Sequence, residues 1–297
     1  MDSSPENQLD VAVDSPLEDK NKKGAYPTFI DLVAIFGVFV LTQVVCLLFV
    51  KMSLPYLAPA LSEEFALAWS MLLTQLFSLS STIIFAAVLR HKRQGAKAPI
   101  KLSFRGFDPT VILGGLIMLI SLSIVIEPLI SLLPPSPSLV ARGWPLLVAV
   151  VFGAPLLEEI LCRGVIFESI RAKRGVVVAW LLSSLFFGLM HIDPAMVVNA
   201  FFMGLVLCYI YIRSGSLIAP MILHALNNAI AYLLIILGLG DNTMLRDLIS
   251  SDSIYYIVYG VAVLLLLTSG VLCARQFRRI IEASQTHEEE LNSQSPQ

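Results

Sequence analysis

The sequence has too little charge for a protein that folds in water. Only 14% of its 297 residues are charged and 57% are hydrophobic, whereas an ordinary soluble domain carries about 25% charged residues. Its 20 Lys and Arg are offset by 22 Asp and Glu, so the chain lacks the basic excess of a nucleic-acid-binding surface. These deficits exclude a soluble enzyme. They predict that the lipid bilayer is a partner of the protein and that nucleic acid is not.

Cysteine is scarce as well, and its four copies stand singly in apolar stretches without a CxxC pair. Neither a disulfide framework nor a cysteine-based zinc site is therefore expected. What the chain has instead is a series of apolar runs, most of them of the roughly 20-residue length that a helix needs to cross a bilayer. They predict an all-α, polytopic transmembrane helix bundle of about eight spans. The runs are Thr28–Val50, Phe65–Leu89, Thr110–Leu133, Trp144–Ile170, Val176–His191, Ala195–Ile212, Leu217–Leu239 and Ile254–Ala274.

These runs divide the chain into five parts. Residues 1–27 are predicted to form a disordered cytoplasmic tail. Residues 28–143 are predicted to form the first transmembrane helices with a basic cytoplasmic loop, and residues 144–239 a four-helix catalytic core. Residues 240–274 predict the last transmembrane helix and residues 275–297 a second, polar cytoplasmic tail. With both termini inside, the inner side collects 16 of the 20 Lys and Arg and the outer side three. This asymmetry predicts a multi-pass protein with cytoplasmic N- and C-termini.

The fourth run carries ionisable residues at its centre. Such residues cost at least about 2.5–3.5 kcal/mol each inside a membrane span, so they are candidates for function. Glu159 and Arg163 are four residues apart, which places them on one helix face and predicts an ion pair. Glu158 lies about 100° around the helix from Glu159. It is therefore the carboxylate that this helix leaves without a partner.

Two histidines and an asparagine occupy later spans. His191 ends the fifth run, and His224 lies four residues before Asn228 on one face of the seventh. The chain has no GxSxG serine turn and no HExxH zinc motif. Glu158 could take a proton from water while His224 or Asn228 stabilises an oxyanion, which is the chemistry of amide hydrolysis. Two histidines and a carboxylate could equally hold zinc, and spacing alone leaves both mechanisms open.

Three motifs resemble those of the CPBP intramembrane protease family, which includes the type II CAAX prenyl endopeptidases and the Abi bacteriocin-processing or immunity proteins. The motif EExxxR stands at Glu158–Arg163, FxxxH at Phe187–His191 and HxxxN at His224–Asn228. The resemblance covers about residues 144–239. It implies an intramembrane endopeptidase whose catalytic residues are Glu158, His191, His224 and Asn228, with Glu159, Arg163 and Phe187 in support. It also implies a glutamate mechanism without a metal cofactor, zinc being the less favoured alternative. The implied substrates are peptides or membrane proteins, with prenylated CAAX-type tails among the candidates.

Two other functions remain compatible with these residues. A proton-coupled carrier would also place Glu and His inside the membrane as a relay, and a non-catalytic immunity or scaffold protein would bind partners through its helices. The depth of the residues raises a further question. At about 1.5 Å per residue, the predicted spans place Glu158 at mid-membrane, His191 near the outer end and His224 nearer the inner side. A shared site therefore requires tilted or displaced helices, or a water-filled cavity that changes the apparent boundaries of the spans.

Overall fold

The structure, a computed structural model, describes residues 26–57, 62–95, 97, 99–104, 108–134, 141–238 and 244–294. The predicted N-terminal tail lies almost wholly outside these residues. Within them the chain is helical and has no strand, which confirms the all-α bundle. We number the helices α1 Phe29–Leu57, α2 Glu63–Gln94, α3 Pro109–Ile130, α4 Trp144–Leu189, α5 Pro194–Ser214, α6 Ile218–Ile236, α7 Leu245–Leu248 and α8 Asp252–Gln294.

Seven of these helices, all except α7, are long and apolar enough to cross a membrane. The difference from the eight predicted spans lies in α4, which unites the fourth and fifth. Its 46 residues would extend about 69 Å as one straight helix, more than twice the thickness of the hydrocarbon core. Gly175 divides it, since its backbone angles of φ 79° and ψ 171° are not helical. We call residues 144–174 the first arm and residues 176–189 the second arm.

The helix ends follow local sequence signals. Between the fifth and sixth predicted runs, Asp193 accepts a hydrogen bond from the backbone N–H of Met196, and Pro194 occupies the first turn of α5, as expected for a helix start. The backbone of α8 continues to Gln294, where the sequence analysis predicted a polar tail. The reason is that Glu, Leu, Gln and Ala are good helix formers, and the transmembrane part of α8 already supplies a formed helix from which they continue.

The basic loop between α2 and α3 enters the bundle. Ser216 donates from its hydroxyl to the Ser103 carbonyl at 2.6 Å, and the Leu217 N–H donates to the Lys101 carbonyl at 2.9 Å. A Cβ added at Gly164 would lie 3.4 Å from the Leu217 side chain and 3.7 Å from that of Ile100. Helix α6 therefore begins level with the middle of the first arm of α4 instead of at the end of the bundle.

The second arm of α4 packs closely on α5 through glycines, and this contact sets the position of His191. A Cβ added at Gly188 would lie 2.9 Å from the Val197 carbonyl oxygen, a backbone atom that cannot move alone. We expect Gly188→Leu to force the two helices apart and to lower stability by about 1–3 kcal/mol. Thermal unfolding in detergent measures this, with Gly114→Leu as the control because a Cβ at Gly114 meets no atom within 4 Å. Equal melting temperatures for the two variants would contradict the packing described here.

Candidate active site

Arg163 is the centre of the buried polar cluster, and its side chain has no exposed surface. It donates to Glu159 Oε1 at 2.8 Å and to the carbonyl oxygen of Gly204 at 2.9 Å. Its guanidinium carbon stands 4.7 Å from the centre of the Phe187 ring, a distance typical of a cation–π contact. The ion pair predicted from the i,i+4 spacing is thus present, and Arg163 also ties the first arm of α4 to α5 and to the second arm.

His224 lies between the two glutamates. Its Nδ1 is 3.1 Å from Glu159 Oε1 and its Nε2 is 3.9 Å from Glu158 Oε2. Because the Glu159 carboxylate is an acceptor, we assign the Nδ1 proton to a hydrogen bond from His224 to Glu159. Glu159 therefore holds both Arg163 and His224, and the other ring nitrogen of His224 faces Glu158.

Asn228 has a contact that the sequence analysis did not foresee. Its amide group donates to the Val150 carbonyl oxygen at 2.8 Å. This carbonyl needs a donor because helix α4 has wide π-type turns here: the Ala154 N–H bonds to the Ala149 carbonyl, five residues back, and Pro155 has no N–H. Asn228 thus replaces the hydrogen bond that a residue other than proline would make to this carbonyl.

This contact gives a prediction that separates a structural from a catalytic contribution of Asn228. Asn228→Leu should lower stability by about 1–2 kcal/mol, because it leaves the Val150 carbonyl without its donor. In a Pro155→Ala background the new N–H can serve that carbonyl, so the same substitution should cost less. A double-mutant cycle of unfolding free energies measures the coupling, and purely additive losses would contradict it. An activity loss that persists in both backgrounds would show that Asn228 also acts on the substrate.

Glu158 and His191 line the same cavity, which has a volume of about 250 Å³ and lies between α1, α2 and both arms of α4. Glu158 is 8% exposed. Its Oε2 has no hydrogen-bond partner among the residues that the structure describes. His191 Nδ1 lies 3.0 Å from the Phe187 carbonyl oxygen, and a hydrogen bond from Nδ1 to that oxygen leaves Nε2 as an acceptor. The cavity thus brings together a buried carboxylate oxygen and an imidazole.

Phe187 and Ile192 fix the place of His191 at the tip of the second arm. The Phe187 ring meets the rings of both His191 and His224 edge-on, with centroids 5.2 and 5.6 Å apart. Ile192 has a left-handed backbone with φ 63°, a conformation that costs a β-branched residue about 1–3 kcal/mol. It ends the helical path directly after His191.

The expected difference in depth between the three residues was wrong, because it assumed that each helix spans the bilayer from end to end. Glu158 lies 17 residues before Gly175 and His191 lies 16 residues after it, so both stand about 24–26 Å from the same bend. Because the basic loop enters the bundle, α6 begins beside Gly164 and not at the end of the bundle. From that level, His224 lies about 9–10 Å further along α6, and Glu158 lies about 9–10 Å away in the same direction along the antiparallel first arm of α4. The two side chains therefore lie at the same depth and meet.

The sequence analysis missed the polar side chains that α1 and α2 contribute to the cavity. Gln43, Thr74 and Gln75 line it together with Glu158, and the Gln75 amide lies close enough to the Glu158 carboxylate to interact with it. The missed signal was a carboxamide within a span of membrane length. Like a charged group, it is costly to leave in lipid without a partner.

A metal ion is the alternative that the sequence left open. Among the described residues, no group of three or more His, Cys, Asp or Glu side chains is arranged to hold one. His224 uses Nδ1 for Glu159 and His191 uses Nδ1 for a backbone carbonyl. A shared ligand position would have to be built from the opposite nitrogens together with Glu158.

Comparisons with known proteins agree with the motif resemblance. Residues 140–230 match the family model described as "Type II CAAX prenyl endopeptidase Rce1-like". A 74-residue stretch is 32% identical to a protein of Bacillus subtilis (strain 168) named "Putative membrane peptidase YdiL". That stretch is 25% of this chain and 30% of the relative, so the chain spans about a third of the length of the curated relative that it matches. No solved structure matches. The predicted resemblance is confirmed over the part of the chain that holds the cluster.

Proposed function

We propose that this chain is an intramembrane endopeptidase in which Glu158 activates a water molecule for attack on a peptide carbonyl. The observation that carries the proposal is one cavity, within the region that matches the peptidase family, lined by both Glu158 and His191. A carboxylate that is buried and lacks a protein hydrogen-bond partner on one oxygen is suited to take a proton from water. The surrounding helices exclude bulk water, which strengthens every electrostatic interaction with the reacting groups.

The remaining residues fit distinct roles in this reaction. The water gives its proton to Glu158, aided by His191 Nε2 as a second acceptor, and its oxygen bonds to the carbonyl carbon. On α6, the second amide N–H of Asn228, and Nε2 of His224 when its ring carries a second proton, can donate a hydrogen bond to the developing oxyanion, which lowers the barrier. As the C–N bond breaks, Glu158 returns the proton to the leaving amine. Glu159, Arg163 and Phe187 hold His224 and His191 in place and touch no reacting atom.

Profiling of protein C-termini tests whether the chain is a peptidase. Membranes from cells that produce the wild-type protein should contain C-termini that are absent when Glu158→Gln is produced at the same level. Glu127→Gln is a matched control, because Glu127 is a carboxylate near the end of a span and lies outside the cavity. If the three proteins give identical C-termini and only Glu158→Gln loses a pH-dependent transport activity, the protein is a proton-coupled carrier and this proposal is wrong.

We propose peptide or membrane-protein chains as substrates, with prenylated CAAX-type tails as one class. The support is the family match over residues 140–230 and the position of the cavity within the bundle. Comparing cleavage of one peptide with and without its prenyl group decides between these classes.

We further propose that both termini face the cytoplasm. Arg93 and Asp31 pair at 3.5 Å, and Lys173 donates to the Pro27 carbonyl at 3.3 Å. Basic residues of two separate segments, the end of α2 and the bend of α4, thus lie beside the start of α1 at one end of the bundle, as the positive-inside rule requires.

A further inference from the structure

A second cavity, of about 410 Å³, lies between α8 and the core. Its walls come from α3, the second arm of α4, α5 and α8, and it shares no lining residue with the cavity that contains Glu158. Its volume is in the range of about 300–1,000 Å³ that holds a small ligand. The walls are apolar, with Leu122, Phe202 and Val206 among them, and their polar groups stand at the end where Tyr209 and Arg278 lie.

The cavity exists because α8 presents small residues to it. Gly270 and Ala274, one turn apart, are part of the lining, and a Cβ added at Gly270 would meet no atom within 4 Å. Helix α8 packs along α3 and also contacts α5, where the Tyr209 and Phe277 rings lie 6.4 Å apart. The Trp180 ring forms part of the wall and is held by its indole N–H, which donates to the Leu205 carbonyl at 2.8 Å. The space is therefore built into the bundle between rigid walls.

The open end of the cavity is basic. Arg278 lines it, and Arg213 donates to Gln276 Oε1 at 2.8 Å, as does the Tyr209 hydroxyl at 2.6 Å. Arg275 and Arg279 belong to the same turn of α8. Two acidic residues, Asp108, which lies near Arg213, and Glu282, offset part of the charge of these four arginines. The net charge at this end of the cavity is positive, which favours an anionic group there.

We propose that this cavity binds an anionic phospholipid, with one acyl chain among the apolar residues and the phosphate beside Arg278. An apolar space with a basic mouth between transmembrane helices has the polarity of such a lipid, since basic pockets of this kind bind anionic headgroups. The cavity walls belong to helices long and apolar enough to span a membrane, so the surrounding bilayer is a direct source of the ligand. Because the second arm of α4 forms one wall, a bound lipid steadies the helix that carries His191 at its tip.

Gly270→Leu and Arg278→Gln test the two halves of the site in the purified full-length protein. A Cβ at position 270 meets no atom within 4 Å, so leucine there occupies part of the cavity that Gly270 lines, and glutamine at 278 removes the charge. Gly260→Leu, on the same helix, and Arg142→Gln, at a residue that pairs with Glu64, are matched controls, since a Cβ at Gly260 also meets open space and neither residue lines the cavity. The probe is nanodiscs of phosphatidylglycerol or of phosphatidylcholine, and the readouts are lipid retained in native mass spectrometry and the melting temperature.

We expect the wild type and both controls to retain phosphatidylglycerol in preference to phosphatidylcholine. Arg278→Gln should reduce that preference about fivefold, the effect of one basic residue near an anionic headgroup, and Gly270→Leu should abolish retention of either lipid. Equal retention of the two lipids by the wild type, or unchanged retention by Gly270→Leu, would overturn the proposal. Retention of a prenylated peptide that phosphatidylglycerol cannot displace would overturn it too and assign the cavity to substrate. The lipid readouts do not depend on peptide cleavage, so they stand apart from a failure of the proposed function.

Discussion

Glu158→Gln should keep the fold and lose cleavage, with a rate reduction of about 10²–10⁴, the usual contribution of a general base. Glutamine has the shape of glutamate but cannot accept the proton of the attacking water. The substitution should cost little stability, because Glu158 Oε2 has no hydrogen-bond partner among the described residues. The measurement is the cleavage rate of a peptide chosen from the C-terminal profiles, beside the melting temperature of each protein.

The matched comparison for this prediction is Gln75→Leu. Gln75 touches Glu158 from α2 without a group that can take the proton, so its removal should lower the rate less than Glu158→Gln does. If Glu158→Gln retained the full rate in a folded sample, another residue would have to be the base.

We expect Glu159→Ala to lower the stability of the protein strongly, whereas Glu158→Gln should cost little stability. The substitution leaves the fully buried Arg163 guanidinium without its anion and His224 without its hydrogen-bond acceptor. Breaking a buried ion pair by removing one partner costs about 3–5 kcal/mol, a large part of the free energy of unfolding of a typical domain. Thermal unfolding and the yield of folded protein from membranes measure the loss.

The double variant Glu159→Leu with Arg163→Met is the control for the charge argument. It removes both ions together, and apolar residues of similar size can replace a buried pair at little cost. We expect its stability to recover a large part of the Glu159→Ala loss. A double variant less stable than Glu159→Ala would show that the hydrogen bonds to His224 and to the Gly204 carbonyl matter more than the buried charge.

The parts of the site that depend on a single helix could be read from the sequence. The Glu159–Arg163 pair follows from a spacing of four residues, and the start of α5 follows from Asp193-Pro194. These interactions are local, so helix geometry alone determines which atoms meet.

The parts that depend on how helices are placed could not be read in this way. The division of α4 at Gly175 can be recognised only from the backbone angles of that residue, since an isolated glycine is also tolerated inside a helix. The depth of His224 depends on the loop that contacts Leu217, and loop entry into a bundle leaves no periodic pattern. The hydrogen bond from Asn228 to the Val150 carbonyl depends on the π-type turns before Pro155. Such contacts arise from packing between distant segments, which hydrophobic periodicity does not encode.

The central claim is that Glu158 activates water without a metal ion. The most direct measurement is the cleavage rate of purified wild type before and after exhaustive chelation, with elemental analysis of the same samples and Glu158→Gln assayed in parallel. The account predicts an unchanged wild-type rate after chelation, no stoichiometric metal in the active sample, and no cleavage by Glu158→Gln in either state. Near-stoichiometric zinc whose removal abolishes cleavage, and whose return restores it, would contradict the account.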